Sequence, residues 1–589
     1  MAKNSYFLDE DTQFHFKNTI NWKKILPLYE KLSDSFTLEQ AVNMYSDTLK
    51  ELGSIAANEL EETAKDTDET GVKMENNEVI YTEGIKNALK AFKEAEALAL
   101  TVKNEYEGVG MPGLVHMINF EMMCKADPSF MTVYAFYAGV SKTLEEFATE
   151  ELKKKYIPKL VKGEYSGSMS LTESDAGSDL GAIQTKAEKA GDHFEITGTK
   201  IFITNGNGEL TLVLAKSKME EEGTKALSMF LVPRHIEKDG GQVENFKMVR
   251  LEHKLGIKGS PTLELSFDKS VGYLVGVEGE GLKQMFYLMN EARLGVSMQA
   301  LGISQKALEE AKEYAKERKQ FGKPIMQHEL IADKILDMET DIKAMRSLIY
   351  KACEYDDLKV GYKEAAEKAE VTDKTGIEKQ HKKYKFLARE MIPLVKYFVC
   401  EKSIQLTRDN IQIHGGNGYT TEYPAEMHLR DSVITTIYEG TSQIQSLMAV
   451  NDTLRHSGVI PFLSCITNIP KRIKMLFSCY INRNRIRAEI YYNKTVDKMM
   501  RPFVISKILG NKKKHAKALS KAMLYAERIT RLKAYKTIIQ VLADEAKRFK
   551  ERKAVAKRFI RNYMPDIRKE AKIISCGDTE TLNYIKENM

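Results

Sequence analysis

"HFEITGTKIFITNG", His193 to Gly206, is a run of β-branched and aromatic residues that stops at an Asn-Gly pair. Such residues suit a pleated strand, and Asn-Gly is by itself a strong hairpin signal. Similar runs follow it, "LTLVLAKS", "ALSMFLVP" and "TLELSFD", each bounded by Gly, Asn or charged residues. No helical stretch separates them, so the spacing predicts an antiparallel sheet or small barrel and excludes a parallel βαβ arrangement.

The sequence reads differently on either side of this region. Before it, "TLEQAVNMYSDTLKELGSIAANELEETAKD" places apolar residues three and four apart, the pattern of a one-sided helix. "TEELKKKYIPKLVKGE" predicts a shorter helix with Pro158 in its course and Gly163 as its stop. After it, "LGISQKALEEAKEYAKERKQF" and "KILDMETDIKAMRSLIYKACEY" are long amphipathic stretches. "YKEAAEKAEVTDKTGIEKQHKKYK" reads as a charged connection or a helix pair. Beyond 450 the pattern is again helical, now with a basic face. The expected order is therefore 1–165 helical, 166–280 β, 281–450 helical and 451–589 a further helical unit. The class is α+β.

A chain of 589 residues is too long for one simple core, and its 43% hydrophobic and 29% charged residues are ordinary for a globular protein. The start has no apolar core of a secretory signal and no Arg-rich transit pattern, and no run of apolar residues is long enough to span a membrane. A cytoplasmic protein is expected. Its six cysteines, with no CxxC pair, are then expected to be reduced thiols. No metal site is expected.

Net charge hides an asymmetry. From residue 451 onward there are 32 Lys and Arg against 12 Asp and Glu, a surplus of 20. The first 450 residues hold the remaining 57 basic and 71 acidic residues, a deficit of 14. A basic tail on an acidic body has three readings. It packs on that body or across a dimer, it meets a membrane at the inner face, or it serves a scaffold. Residues 469–487, "IPKRIKMLFSCYINRNRIR", mix apolar and cationic residues as an interfacial helix does. No nucleic-acid fold signature is present.

Four segments carry more chemistry than helix or strand maintenance requires. In "GSMSLTESDAGSDL" (167–180), Thr172, Gly177 and Ser178 could donate to ring carbonyls or a phosphate, although a capped turn explains the same residues. In "TKIFITNG" (199–206), Phe202 offers an apolar face and Thr204 a hydroxyl suited to a flat heteroaromatic ring. In "RKQFGKPIMQHE" (318–329), Arg318 suits a pyrophosphate clamp or simply the negative end of a helix. In "QIHGGNGYTTEYPAEMHLRDSVITTIYEGTSQIQ" (412–445), Gly415, Gly416 and Gly418 permit close backbone approach, and Glu439 follows within thirty residues. That carboxylate is a solvated charge, a helix cap or a catalytic base.

Together, "TESDAGSD", "KIFITNG", "RKQFG", "QIHGGNGY" and "IYEGTSQIQ" resemble the acyl-CoA dehydrogenase superfamily, in its motif order, over about residues 40–450. "MFYLMNEARLGVSMQALG" and "EHKLGIKGSPTLELSFD" resemble its large-subunit branch, which includes long-chain and methylmercaptopropionyl-CoA dehydrogenases and carries an extra helical C-terminal domain. The resemblance implies an N-terminal helical domain, a middle antiparallel β-barrel or sandwich, a C-terminal four-helix bundle and FAD between them. It also implies roles for individual residues. Met169, Leu171 and Thr172 would contact the flavin, with Phe202, Ile203 and Thr204 on its other side. Ser178 would lie near the cofactor phosphates and the acyl-CoA. Arg318, Gln320 and His328 would reach the FAD of a neighbouring subunit, whose diphosphate portion Gln412, Gly415 and Gly416 would hold. Thr441 and Gln443 would touch FAD, and Asn290, Arg293 and Gly440 would contact substrate.

Glu439 matches the family's base, which removes the α-proton of an acyl thioester while a hydride leaves the β-carbon for the flavin, giving a trans-2-enoyl-CoA. Electrons then pass to electron-transfer flavoprotein. The sibling reading is an oxidase that returns them to oxygen. The alternative family position for the base is Ala292 here, and Glu291 beside it would point about 100° around the helix. Contacts across subunits imply a homodimer or a dimer of dimers. Three features depart from the pattern. Phe202 stands where a tryptophan is usual, Ser174 where proline is common, and 358–384 is a longer connection. Nothing in the sequence fixes the acyl chain.

Overall fold

The computed structural model describes residues 4–238, 240–456, 478–577 and 580–588, together with residues 470, 474 and 475. Most of the 469–487 stretch up to 477, and Cys465, lie outside them.

The N-terminal part is helical for the reason its periodicity gives. Leu38–Ile55 buries Ala41, Tyr45, Leu49 and Leu52 along one face, and Thr37 and Gln40 close its start as a reciprocal capping box. Glu150–Val161 begins at a Thr149 cap, and the chain leaves it through Gly163 at φ +64°. Between them, Gly113–Ala126 is buried on all sides from Leu114 onward, as a helix in the middle of a core must be. Gly302 on the later helix Gly281–Glu317 packs against it so closely that a Cβ would lie 2.6 Å from the Glu121 carbonyl oxygen.

The β region closes on itself. Lys186–Ala190, His193–Thr204, Thr262–Val275, Leu227–Pro233 and Leu210–Lys216 pair in a ring. Lys247–Leu251 extends it at Thr262–Val275, and Gly167–Ser170 lies beside Leu210–Lys216. Two pairings, Gly167–Ser170 with Leu210–Lys216 and Lys186 with Lys216, are parallel, so the barrel is mixed where an antiparallel one was expected. The entering strand arrives from the helical region and returns to its neighbour only after two further strands, which reverses its direction. Asn205-Gly206 does not make a hairpin either. The strands on its two sides are not neighbours. The Asn205 amide instead donates to the Gly167 carbonyl at 2.7 Å and accepts from the Tyr81 hydroxyl at 3.0 Å, turning the chain across the barrel end.

Three long helices follow, Gly281–Glu317, Glu329–Lys368 and Val371–His414, then Ala425–Ile434 and Ser442–His456. The charged 358–384 stretch is a helix pair, formed as two long helices run on to a break at Ala369–Glu370, with Tyr362 and Tyr384 stacked at 5.8 Å. The tail helices Tyr480–Ile508, Lys512–Leu524, Ala526–Arg548 and Arg552–Cys576 pack on this bundle. Their join is ionic, and it is buried around Asp11. Asp11 of the N-terminal helix Glu10–Asn18 accepts from Arg346 of the bundle at 2.6 Å and from Arg552 of the tail at 2.5 Å. Lys533 pairs with Glu390, and Arg558 with Asp333 and Asp337. Among the described residues no helix is long and apolar enough to cross a membrane.

Candidate active site

Glu439 lies in the short connection between the helices Ala425–Ile434 and Ser442–His456, and its backbone is left-handed, φ +56°. A non-glycine residue holds that conformation only when its surroundings impose it. Here they do so by seizing the carbonyls. Arg293 Nε donates to the Glu439 oxygen at 3.2 Å, and Gln445 Nε2 donates to the same oxygen at 3.0 Å and to that of Gly440 at 3.2 Å. Lys396 Nζ donates to the Gly440 oxygen at 2.9 Å. Arg293 and Lys396 are both buried, and a side chain at Gly440, φ +90°, would collide with Gln445. Tyr438 is anchored through its hydroxyl to Gln299.

This arrangement fixes the backbone and leaves the carboxyl free. Glu439 is half-buried overall, yet its Oε2 is fully enclosed and has no hydrogen-bond partner. Burial raises its pKa above the ordinary carboxyl value, and the cations of Arg293 and Lys396 pull in the opposite direction. An enclosed carboxyl with an unmatched oxygen is a poor structural element and a competent proton acceptor. Glu291 has no such place. Burial pushes its pKa to about 7, and its charged neighbours are Lys142, Asp356, Lys359 and Glu145. Asn290 Oδ1 accepts from Arg293 Nη1 at 3.0 Å.

A wall for a flat ring forms where two of the motifs meet. Ile201 N donates to the Thr172 carbonyl at 2.9 Å, and buried Lys200 donates to the Leu171 carbonyl and to Glu173 Oε1, each at 2.9 Å. Glu173 also accepts from the amides of Gln184 and Thr185. These bonds bring Met169, Leu171 and Thr172 beside Phe202 and Thr204. Phe202 sits at φ +59° with 60% of its surface exposed. Leu171 and Ile203 are buried in separate apolar cores, so their side chains are committed to packing. Gly177 and Ser178 are exposed on the same turn.

The third and fourth motifs share another surface. Arg318 ends the helix Gly281–Glu317, and Lys319–Gln320 with Lys323–Pro324 makes a small hairpin whose tip, Phe321, is 94% exposed. His328 Nε2 approaches the Gln320 carbonyl at 3.1 Å. Tyr314, one turn before Arg318, stacks on His414 at 4.2 Å and bonds Asn417, which draws Gln412, Gly415 and Gly416 to the same end of the bundle. All three are exposed, and a Cβ at either glycine would meet nothing within 4 Å. Within one chain, no described contact joins this surface to the Glu439 loop. Thr441 Oγ1 caps Ile444 N, while Gln443 is exposed and donates to Glu527 of the tail at 2.7 Å.

Sequence reasoning missed Lys396, Gln445 and the Glu173–Lys200 pair. A lone lysine in "MIPLVKYFVC" was the available signal, because a charge in an apolar helical run is rarely buried without a task.

The chain is similar to known proteins. It matches the descriptions "Acyl-CoA dehydrogenase, N-terminal domain" over residues 46–164, "middle domain" over 168–270 and "C-terminal domain" over 279–452. It is 33% identical to the 3-methylmercaptopropionyl-CoA dehydrogenase of Ruegeria pomeroyi, over 68% of each chain. It is 33% identical to a short-chain specific acyl-CoA dehydrogenase of Clostridium acetobutylicum, covering 67% of this chain and 93% of that one. Among solved structures, butyryl-CoA dehydrogenase of Megasphaera elsdenii matches at a TM-score of 0.59 and 28% identity, over 72% of this chain and all of that one. An acyl-CoA dehydrogenase of Bacillus anthracis complexed with FAD matches the fold over 100% of this chain and 94% of its own, at a TM-score of 0.75 and 20% identity. The chain belongs to the acyl-CoA dehydrogenase family, whose members are oxidoreductases that use FAD. The residues present fit that cofactor. Exposed Phe202 and the backbone near Thr172 offer a ring surface, and the open glycines beside Arg318 leave room for a diphosphate.

Proposed function

We propose that this protein dehydrogenates an acyl-CoA at its α and β carbons to a trans-2-enoyl-CoA, with Glu439 as the base. Acyl-CoA dehydrogenation is the chemistry of the family it belongs to. The observation that carries the role of Glu439 is its enclosed, partnerless Oε2. FAD, when bound, supplies the acceptor for the hydride.

The protein's own part is geometry and proton transfer. Glu439 Oε2 takes the proton from the carbon next to the thioester carbonyl. Arg293, Gln445 and Lys396 hold the loop so that the carboxyl need not reorganise. The Glu439 backbone N–H, which has no acceptor among the described residues, faces the task of stabilising negative charge on the thioester oxygen. Enclosure keeps water from competing as proton source. Met169, Thr172, Phe202 and Thr204 position the ring. Arg318, Gln320, His328, Gln412, Gly415 and Gly416 serve a cofactor held across a subunit boundary, and the exposed Phe321 and Tyr419, at 94% and 86%, support a dimer or a dimer of dimers. The electron acceptor is electron-transfer flavoprotein.

The test is turnover of an acyl-CoA series with a dye acceptor by wild-type protein and Glu439→Gln. The proposal expects a chain-length optimum in the wild type and a variant that keeps its flavin but is nearly inert. Comparable turnover in both would refute the role of Glu439. Hydrogen peroxide formed at the turnover rate in air would instead make the protein an oxidase.

A further inference from the structure

The tail's cations are not all alike. Several on Ala526–Arg548 and Arg552–Cys576 are matched by acids: Lys533 with Glu390, Arg531 and Arg528 with Glu570, Arg552 with Asp11 and Glu545, Arg558 with Asp333 and Asp337. Residues 498–526 differ. They contain eight Lys and Arg and not one Asp or Glu. Lys507, Lys512, Lys513, Lys514 and Lys517 are exposed, and none makes an ion pair among the described residues.

These lysines surround an apolar tip. Tyr480–Ile508 ends with Ile505 and Ile508 and is followed by Leu509, exposed by 42%, 73% and 70%. Their spacing of three and four puts them on one face of the last turn. The corner that follows is tightly built. Leu509 N bonds the Ile505 carbonyl, Gly510 turns at φ +63° with its N–H on the Lys507 carbonyl, and Asn511 Oδ1 caps Lys514 N at 3.0 Å. The apolar residues are thus presented on an ordered corner.

The next helix, Lys512–Leu524, opposes local helix rules. Its first turn holds three lysines and no acid, where the helix dipole favours negative charge. Among the described residues no Asp or Glu pairs with these lysines, so the arrangement is accounted for by an anion from outside. We infer that this corner, Ile505, Ile508 and Leu509 inside a ring of Lys507 and Lys512 to Lys517, is a docking surface for an anionic lipid membrane. Apolar residues that enter the headgroup layer and lysines that remain at its negatively charged surface are the two requirements of a peripheral anchor, and both occur on the same turn of chain. A nucleic acid would satisfy the lysines and leave Ile508 and Leu509 in water. A second copy's acidic body would do the same unless it also offered an apolar recess.

The experiment is sedimentation of the full-length holoprotein with vesicles of phosphatidylcholine, alone or mixed with phosphatidylglycerol. Three forms are compared: wild type, the pair Ile508→Ser with Leu509→Ser, and the triple Lys512→Glu, Lys513→Glu, Lys514→Glu. Binding to the mixed vesicles only is expected for wild type, with partition reduced roughly tenfold or more in the apolar pair and lost in the triple. Dye-linked turnover in the absence of vesicles should be the same in all three, which separates this surface from the reading of the active site. Three results would overturn the inference: no vesicle binding by wild type, equal binding by the variants, or a variant whose only change is a smaller oligomer.

Discussion

Glu121 and Glu439 are both carboxylates set into the helical core, and they are treated in opposite ways. Glu121 is 2% exposed and fully engaged: Oε1 accepts from Arg346 Nε at 2.9 Å and Nη2 at 2.5 Å, and Oε2 accepts from the Tyr350 hydroxyl at 2.7 Å. Arg346 in turn reaches Asp11, which is shared with Arg552 of the tail. Glu439 has two buried cations nearby, yet they bind the carbonyls of its loop and leave Oε2 unpaired. One carboxylate satisfies its neighbours and fastens three parts of the chain. The other is held in place and left with capacity to react. The difference lies in where the hydrogen bonds end, because burial and nearby positive charge are common to both.

The comparison is broken most severely at Glu439. Glu439→Gln keeps the shape and removes the base, so kcat should fall by about a thousandfold or more in the dye-linked assay, with flavin content unchanged. Next in size is Glu121→Gln. It leaves Arg346 with one carboxylate fewer in a buried site, which costs about 3–5 kcal/mol and should appear as a large loss in denaturant midpoint. The fraction that remains folded should turn over at close to the wild-type rate. An inactive but stable Glu121→Gln protein would contradict the division of roles.

Lys396→Met is expected to act between these extremes, through Glu439. Its cation favours the ionised carboxyl, so its removal should raise the carboxyl pKa further and move the acid limb of kcat/KM to higher pH. A fall in kcat of about tenfold should accompany the shift, and Lys396→Arg should restore part of both. A purely structural lysine would lower stability and leave the pH profile where it was.

The smallest effect is one of stability. The pKa of Glu439 is raised in the folded protein by burial. A carboxyl of this kind supports the fold while protonated, and that support is lost as pH rises from the ordinary carboxyl value through the raised one. Glu439→Gln should therefore melt near the wild-type temperature in acid and slightly above it at neutral pH. The reverse trend would mean that the ionised carboxylate is stabilised by the fold.

Much of the architecture was legible because periodicity records it. Helical spacing gave Leu38–Ile55 and Glu150–Val161, and the change to short apolar runs gave the barrel. Ring closure was not legible. It depends on parallel neighbours distant in sequence, and on an Asn205 side chain that bonds Gly167 and Tyr81 in place of a hairpin partner. At the site, Glu439 stood out by its motif and Arg293 by its position. Lys396 and Gln445 act by reaching backbone carbonyls, a use of polar side chains that leaves no spacing to read. In the tail, composition announced a basic segment without showing which cations the body would match.

The central claim is that Glu439 removes the proton next to the thioester carbonyl, and isotope exchange tests this step apart from electron transfer. A 3-thia acyl-CoA, in which sulfur replaces the β-carbon and dehydrogenation is blocked, is incubated with holoprotein in deuterium oxide and followed by proton NMR. Wild-type protein should exchange the protons at C2, while Glu439→Gln, with its flavin retained, should leave them in place. Exchange at the wild-type rate in the variant would contradict the account.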